Sequence, residues 1–505
     1  MLPKAENPWT IFEAAHLLNR AGFGGNPAEI RSLHALGREQ AVVSLLEPLE
    51  GLDAFPWPKW AADDQVFAEM KALAGQRQSQ RKSMGNLTSE EAEQAKRDAI
   101  KALQKENRQR TLECQSWWFR RMLETKAPLR EKMTLFWHDH FATSIQKVKQ
   151  PVLLLRQNEL FRKQAFGSFK GLTNSILLDP AMMLYLDTGS SKKDQPNENF
   201  AREVMELFTL GEGNYNEQDI RESARAFTGY QLNRLNGKVT HNKRQWDSSD
   251  KTVFGKTGPF SGKEIIDLIF EKKETADFIS KKIWEFFVYE KPSISAVAAL
   301  SSRLIEANFK MGPLLREIFL SKEFYSEAAI RSQIKSPVHY LTALLKQLEI
   351  TDPPIGFPLT AQQQLGQVLF MPPNVAGWDW GQAWINTNTL LTRYNLAGFL
   401  TKGAGTMPGP PPGENMKSLG KEAVKRMGRR WQGPDYEIIT PRTLRETPAD
   451  LVDSLIFRFF QGPIPNKTRQ SFLEYANQKK GAIFTDQETA ELCHLMLSTP
   501  HYQLA

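Results

Sequence analysis

Apolar residues recur along this chain at helical spacing, and the alternating runs that make long strands are nearly absent. The segment at 196–211, PNENFAREVMELFTLG, shows the pattern most sharply. At about 100° per residue, Glu198, Asn199, Arg202, Glu203 and Glu206 share an arc of roughly 140°. Phe200, Ala201, Val204, Met205, Leu207 and Phe208 fill the other side. Asn197 is placed to cap this helix and Gly211 to end it. A short link leads to NEQDIRESARAFTGY, where Asn216 and Asp219 signal a second start and Gly229 a stop. Arg221 and Arg225 stand one turn apart on that helix. So short a link predicts an antiparallel helical hairpin.

The same period sets the expected fold class: all-α, a large multi-helix assembly with a short hairpin and irregular loops inserted. Residues 1–126 read as N-terminal helices. Two are predicted over 8–50, broken at GFGGNP, and long, charged, exposed ones over 60–125, with Thr88 or Ser89 ahead of Glu91 as a capping signal. Residues 127–400 read as a central helical body. Within it the period lapses over 230–260, where an irregular loop with a hairpin around LNGK is expected, and helices resume from 262 to about 348. FMPPNVAGWDWGQAW, at 370–384, predicts an ordered loop. Residues 401–446 open on a Pro/Gly tract and read as a linker or surface excursion, and 447–505 as a C-terminal helical unit.

Composition narrows the class. At 505 residues, 41% hydrophobic and 24% charged, the chain is long enough for a large core and has a globular balance. No window approaches the apolar length of a membrane span, and no secretory leader is visible, which places the expected location in the cytoplasm. Cys114 and Cys493 are too few for a disulfide framework or a zinc cluster and are expected in the core. The net charge of +8 points to acidic partners, but without a nucleic-acid-binding motif it disfavours nucleic acid.

Two clusters could carry chemistry. On the hairpin, Glu198–Arg202–Glu206 forms a ladder at i, i+4 spacing, and the glutamates could face Arg221 and Arg225 across the link. Such a network can be architecture, or it can hold and work on a ligand; the spacing admits both. The second cluster is LFWHDHFATS, with His138 and His140 flanking Asp139. His-x-His shares one face only on a strand; on a helix the two rings diverge by about 200°. Pro128 and the apolar run predict a helix, hence two buried or half-buried imidazoles on different sides. A divalent metal is compatible with these residues and not demanded by them.

The order of AAHLLNRAGFGGNPAEI, LFWHDHFATS, RQNELFR, DPAMMLYLD, PNENFAREVMELFTLGEGNYNEQDIRESARAFTGY, KTVFGKTG, IKSP and LFMPPNVAGWDWGQAW resembles the bacterial family called domain of unknown function 1800. The resemblance implies a large, mostly helical protein, and no activity. It also implies a neighbouring gene for an exported companion with a phosphatase- or sulfatase-like fold, so that export with a signal-bearing partner becomes an alternative to the cytoplasm. The positions matching the family's motifs are Trp137, His138, His140, Asp187, Asn197, Glu198, Asn199, Arg202, Glu203, Glu206, Arg221, Arg225, Asn374 and Trp378. Trp246 and Phe208 stand where relatives carry histidine, which returns any ligand role to His138, His140 and the glutamates. Three functions follow as expectations. One is an enzyme acting on an envelope or polymeric substrate, with Glu198, Glu203, Glu206, His138 and His140 as catalytic groups. In that enzyme Arg202, Arg221, Arg225, Asn199, Asp187, Trp137, Asn374 and Trp378 would bind ligand. Another is a non-catalytic helical partner of the companion. The third, nucleic-acid binding, rests on net charge alone.

Overall fold

The computed structural model describes residues 1–48, 55–61, 67–68, 71, 89–354, 356–403, 431–478 and 483–505. The expected cap at Thr88 and most of the Pro/Gly tract, 404–430, lie outside the described residues. The chain is mostly helical. Thr10 starts α1 (Ile11–Ala21) by accepting the backbone N–H of Glu13, whose carboxylate reaches back to the N–H of Thr10. Three helices, not two, occupy the first stretch, because Gly37 takes a positive φ of 75° and separates Pro27–Ala35 from Arg38–Leu46.

The charged segment contributes one long helix, α2 (Ser89–Glu124), followed by α3 (Pro128–His140) and α4 (Pro151–Lys163). Pro128 and Pro151 each occupy a first helical turn, where a missing N–H costs nothing. The hairpin's first helix, α5, is α-helical only over Asn199–Glu203 and continues as a π-helix over Val204–Thr209. Its partner α6 (Glu217–Ala226) has the expected Asn216–Asp219 capping box.

Two small antiparallel sheets correct the all-α expectation. β1 (Tyr230–Asn233) pairs with β2 (Lys238–His241), placing Tyr230 opposite His241. β3 (Lys251–Val253) pairs with β4 (Lys256–Gly258) around Phe254 and Gly255, both at positive φ. The second hairpin went unseen because three-residue strands are too short to show a period of two. Later helices include α7 (Lys273–Phe287), α8 (Pro337–Gln347), α9 (Thr387–Lys402) and α10 (Asp486–Leu497).

The buried apolar residues form two clusters. One joins α1, α3, α5, α6 and α7. The other joins α2 and α4 to α8, α9 and α10, and also takes Leu135 of α3 and both cysteines. Helix α3 therefore runs between the two clusters and is buried on every side. An enclosed helix is normally apolar all round. This one carries Glu131, Lys132, His138, Asp139 and His140, so each polar group needs a partner inside.

Candidate functional site

The two histidines sit in one continuous helix and point to different rooms, as the 200° divergence requires. His138 packs among Trp118, Phe370 and Trp378, with ring centroids 5.2, 5.5 and 5.6 Å away. Burial pulls its pKa down to about 3, so the imidazole is neutral, and its Nε2 has no hydrogen-bond partner among the described residues. His140 packs among Phe136, Trp137, Phe141, Phe169 and Phe208. Burial first, and then the Lys282 cation, hold it neutral. Its Nε2–H therefore donates to the carbonyl of Phe208 at 2.9 Å.

The Phe208 carbonyl lies in the last turn of the π-helix, where no intrahelical N–H remains to meet it. Leu210 N–H turns back to the carbonyl of Met205 at 2.8 Å. Phe208 O is taken by His140, and Leu207 O by the ammonium of Lys282 at 3.4 Å. His140 is thereby bound into the fold rather than turned toward solvent.

Asp139 is the residue that sequence reasoning passed over. Its Oδ1 accepts the backbone N–H of Trp378 at 2.7 Å and its Oδ2 the indole N–H of Trp380 at 3.0 Å. Burial pushes its pKa up to about 7; the Trp378 N–H, Lys282 and the Trp380 N–H offset part of that rise. Gly377, at φ 89°, presses so close that a Cβ would lie 2.4 Å from Asp139 Oδ1. One carboxylate thus fixes the ordered loop over 370–384. The signal was present in the sequence as the acid between two histidines.

Held in this way, the loop walls an open cleft of about 370 Å³ lined by Ser144, Gln146, Lys147, Tyr185, Leu186, Pro373, Asn374 and Val375. The backbone N–H of Ile145 donates to Phe370 O at 3.0 Å and ties the two walls together. Ser144 Oγ is buried behind this lining without a hydrogen-bond partner among the described residues. Lys147 reaches Asp187 at 2.7 Å. Asn374 Oδ1 accepts the N–H of Ala376 at 2.8 Å, which shapes the turn and leaves its amide N–H groups to the surface. The lining is mixed, with Leu186, Pro373 and Val375 beside two side-chain amides, one ammonium and one phenol.

The Glu/Arg hairpin lies beside this cleft and differs from expectation. Arg202 bridges to Glu217 of α6 through two bonds of 2.9 Å, and to Glu198 on its own helix at 3.4 Å. Arg225 turns away to Asp247 and Glu222, each at 2.7 Å. Arg221 forms no ion pair with any described residue. Asn197 caps from one position outside, its Oδ1 accepting the N–H of Asn199 at 3.0 Å. The glutamates of α5 consequently do not face a row of arginines. Glu206 receives the Tyr215 hydroxyl at 2.7 Å. Burial, and then Glu206, raise the pKa of half-buried Glu203. The field of Glu203 reaches Tyr185, at the cleft.

The fully enclosed acid–base network is elsewhere, and was missed. Glu131 of α3, with no exposure, receives Arg121 Nε at 2.8 Å, Arg162 Nη2 at 2.9 Å and the Trp118 indole at 3.1 Å. Burial raises its pKa, but Arg162 and Arg121 more than offset this and the net shift is downward. Trp137, matched to the family motif, packs parallel to Phe169 at 5.6 Å and is core. Trp246 packs on Gly229 and His241. Among the described residues, no three His, Cys, Asp or Glu side chains are placed to share a metal ion. Nor is any helix there long and apolar enough to cross a membrane.

Fold and site together define a large, mostly helical protein with an open cleft of mixed lining under a loop pinned by a buried aspartate. The profile of the DUF1800 family, described as protein of unknown function, matches residues 16–504, nearly the whole chain, and the protein belongs to that family. No curated protein and no solved structure matches it.

Proposed function

We propose that this protein is a binding partner rather than a catalyst, and that its cleft receives an extended, hydrogen-bonding segment of the exported companion that the family resemblance implies. One observation carries the reading: three segments that bear the resemblance meet at the cleft. LFWHDHFATS ends on Ser144, DPAMMLYLD supplies Tyr185 and Leu186, and LFMPPNVAGW supplies Pro373, Asn374 and Val375. The imidazoles that could have served catalysis are enclosed by rings and held neutral. Amide and hydroxyl groups beside one cation suit backbone-like polar contacts. A partner bound there could carry the chain across a membrane under its own export signal. Co-purification of the two proteins, with and without Gln146→Trp to fill the cleft, tests this reading. Gln146 is exposed, so the variant should keep the fold.

A second reading rests on Glu203. Burial and the neighbouring Glu206 raise its pKa, as a general acid acting on a polymeric substrate would require. Loss of hydrolysis of an envelope polymer in Glu203→Gln, with companion binding intact, would support the enzyme.

A further inference from the structure

Among the described residues, one surface gathers cations with almost no acid beside them. The hairpin and its continuation, 230–245, carry Arg234, Lys238, Lys243 and Arg244 and no carboxylate. The turn at 191–195 adds Lys192 and Lys193 against a single acid, Asp194. Six cations less one carboxylate give +5, against +8 for the whole chain. The two segments form one surface. The backbone N–H of Lys193 donates to Gln245 O at 2.8 Å and that of Gly229 to Ser191 O at 3.1 Å. Gln231 Nε2 donates to Gln245 Oε1 at 2.6 Å.

All six cations are exposed, and none forms an ion pair with a described residue. Some exposed cations elsewhere are paired, as Lys170 is with Asp267 and Arg469 with Asp453, and others, such as Lys322 and Lys467, stand singly; here six lie together. Like charges left together on a β-ribbon repel one another, which disfavours the bare surface and favours an anionic cover.

The apolar content of the patch selects the cover. Leu235, in the turn between Arg234 and Lys238, is 43% exposed. Tyr230 is turned in against His241, with ring centroids 4.6 Å apart, and Trp246 is half-buried beside it. No exposed Phe, Tyr or Trp is therefore offered for bases to stack on, which single-stranded nucleic acid would use. An exposed aliphatic side chain ringed by lysine and arginine instead fits lipid headgroups.

We propose that the β1–β2 hairpin, together with the 191–195 turn, docks this protein reversibly on an anionic lipid bilayer, with Leu235 set among the headgroups. This contact is separate from the cleft and does not depend on what the cleft binds. The test is co-sedimentation of the full chain with phosphatidylcholine vesicles prepared with and without phosphatidylglycerol. Wild type should pellet only with the anionic vesicles and be released by salt. Each cation near such a surface multiplies binding by roughly fivefold, so R234Q/K238Q/K243Q/R244Q should bind roughly 10²- to 10³-fold more weakly. A variant with equal charge loss away from the hairpin, K101Q/K105Q/K322Q/K467Q, should bind nearly as wild type does. Failure of wild type to pellet with anionic vesicles would overturn the proposal. So would equal losses in the two variants, which would reduce the effect to net charge. Tighter binding to duplex DNA, abolished by the hairpin variant, would also overturn it and give the surface to nucleic acid.

Discussion

Asp139 and Trp378 lie 239 positions apart in sequence and are joined by a 2.7 Å hydrogen bond from the Trp378 backbone N–H to Asp139 Oδ1. Helix α3 thereby reaches out of the core to set the position of the loop that walls the cleft. With burial raising its pKa to about 7, Asp139 keeps a proton in the folded state that the unfolded chain releases near its ordinary value of 3.8. Its contribution to stability is therefore greatest at low pH and declines as pH rises from about 4 to about 7. Asp139→Asn, which cannot ionise, should gain stability relative to wild type across that window. Urea denaturation of both proteins at several pH values checks this; parallel curves would show that Asp139 does not titrate there.

Gly377→Ala attacks the same contact from the loop side. The substitution imposes a left-handed φ on alanine and drives a methyl group into Asp139. A loss of roughly 1–3 kcal/mol is expected from the strained backbone alone, before the displaced carboxylate is counted. The fluorescence of Trp380, a hydrogen-bond partner of Asp139, should report the released loop. A wild-type melting temperature and unchanged emission would show that the loop is held by other contacts.

Glu131→Gln removes the buried anion that Arg121 and Arg162 share, leaving Arg162 its bond to Glu159. Removing one member of a buried charge network typically costs about 3–5 kcal/mol. Because the folded pKa of Glu131 is lowered, the wild-type contribution is present at neutral pH and is lost as pH falls through that folded value. Chemical denaturation at pH 7 measures the deficit. A variant within experimental scatter of wild type would show that water compensates the arginines.

Arg202→Ala should matter much less to folding. Its bonds to Glu217 and Glu198 lie at the surface, where screening leaves ion pairs little net effect. The denaturation midpoint should stay close to wild type. A large drop would mean that the hairpin network is structural after all.

The helices were legible because their caps and apolar faces repeat at short range: Asn216 with Asp219, Pro128 at a first turn and Gly211 at positive φ all acted where the sequence placed them. The π-turn at Val204–Thr209 was not legible. Its last carbonyls are met by His140 and Lys282, and both arrive from distant helices. The hairpin ladder is there, Arg202 bonding Glu198 and Glu217, but the enclosed Glu131 network was not legible, for a related reason. The i, i+4 ladder at 198–206 is visible along the chain, whereas Glu131 meets Arg121 and Arg162 only through the packing of α2, α3 and α4. The cleft itself joins residues near 145, 185 and 374, and no local pattern announces that meeting.

The account rests on the cleft as a binding site for the companion, and the most direct test is a calorimetric titration of the companion into wild type, Gln146→Trp and Glu203→Gln. Filling the cleft should weaken the association at least about tenfold, the equivalent of some 1.4 kcal/mol. Glu203→Gln should bind as wild type does. Equal affinity in wild type and Gln146→Trp, or no association in any of the three, would contradict the account.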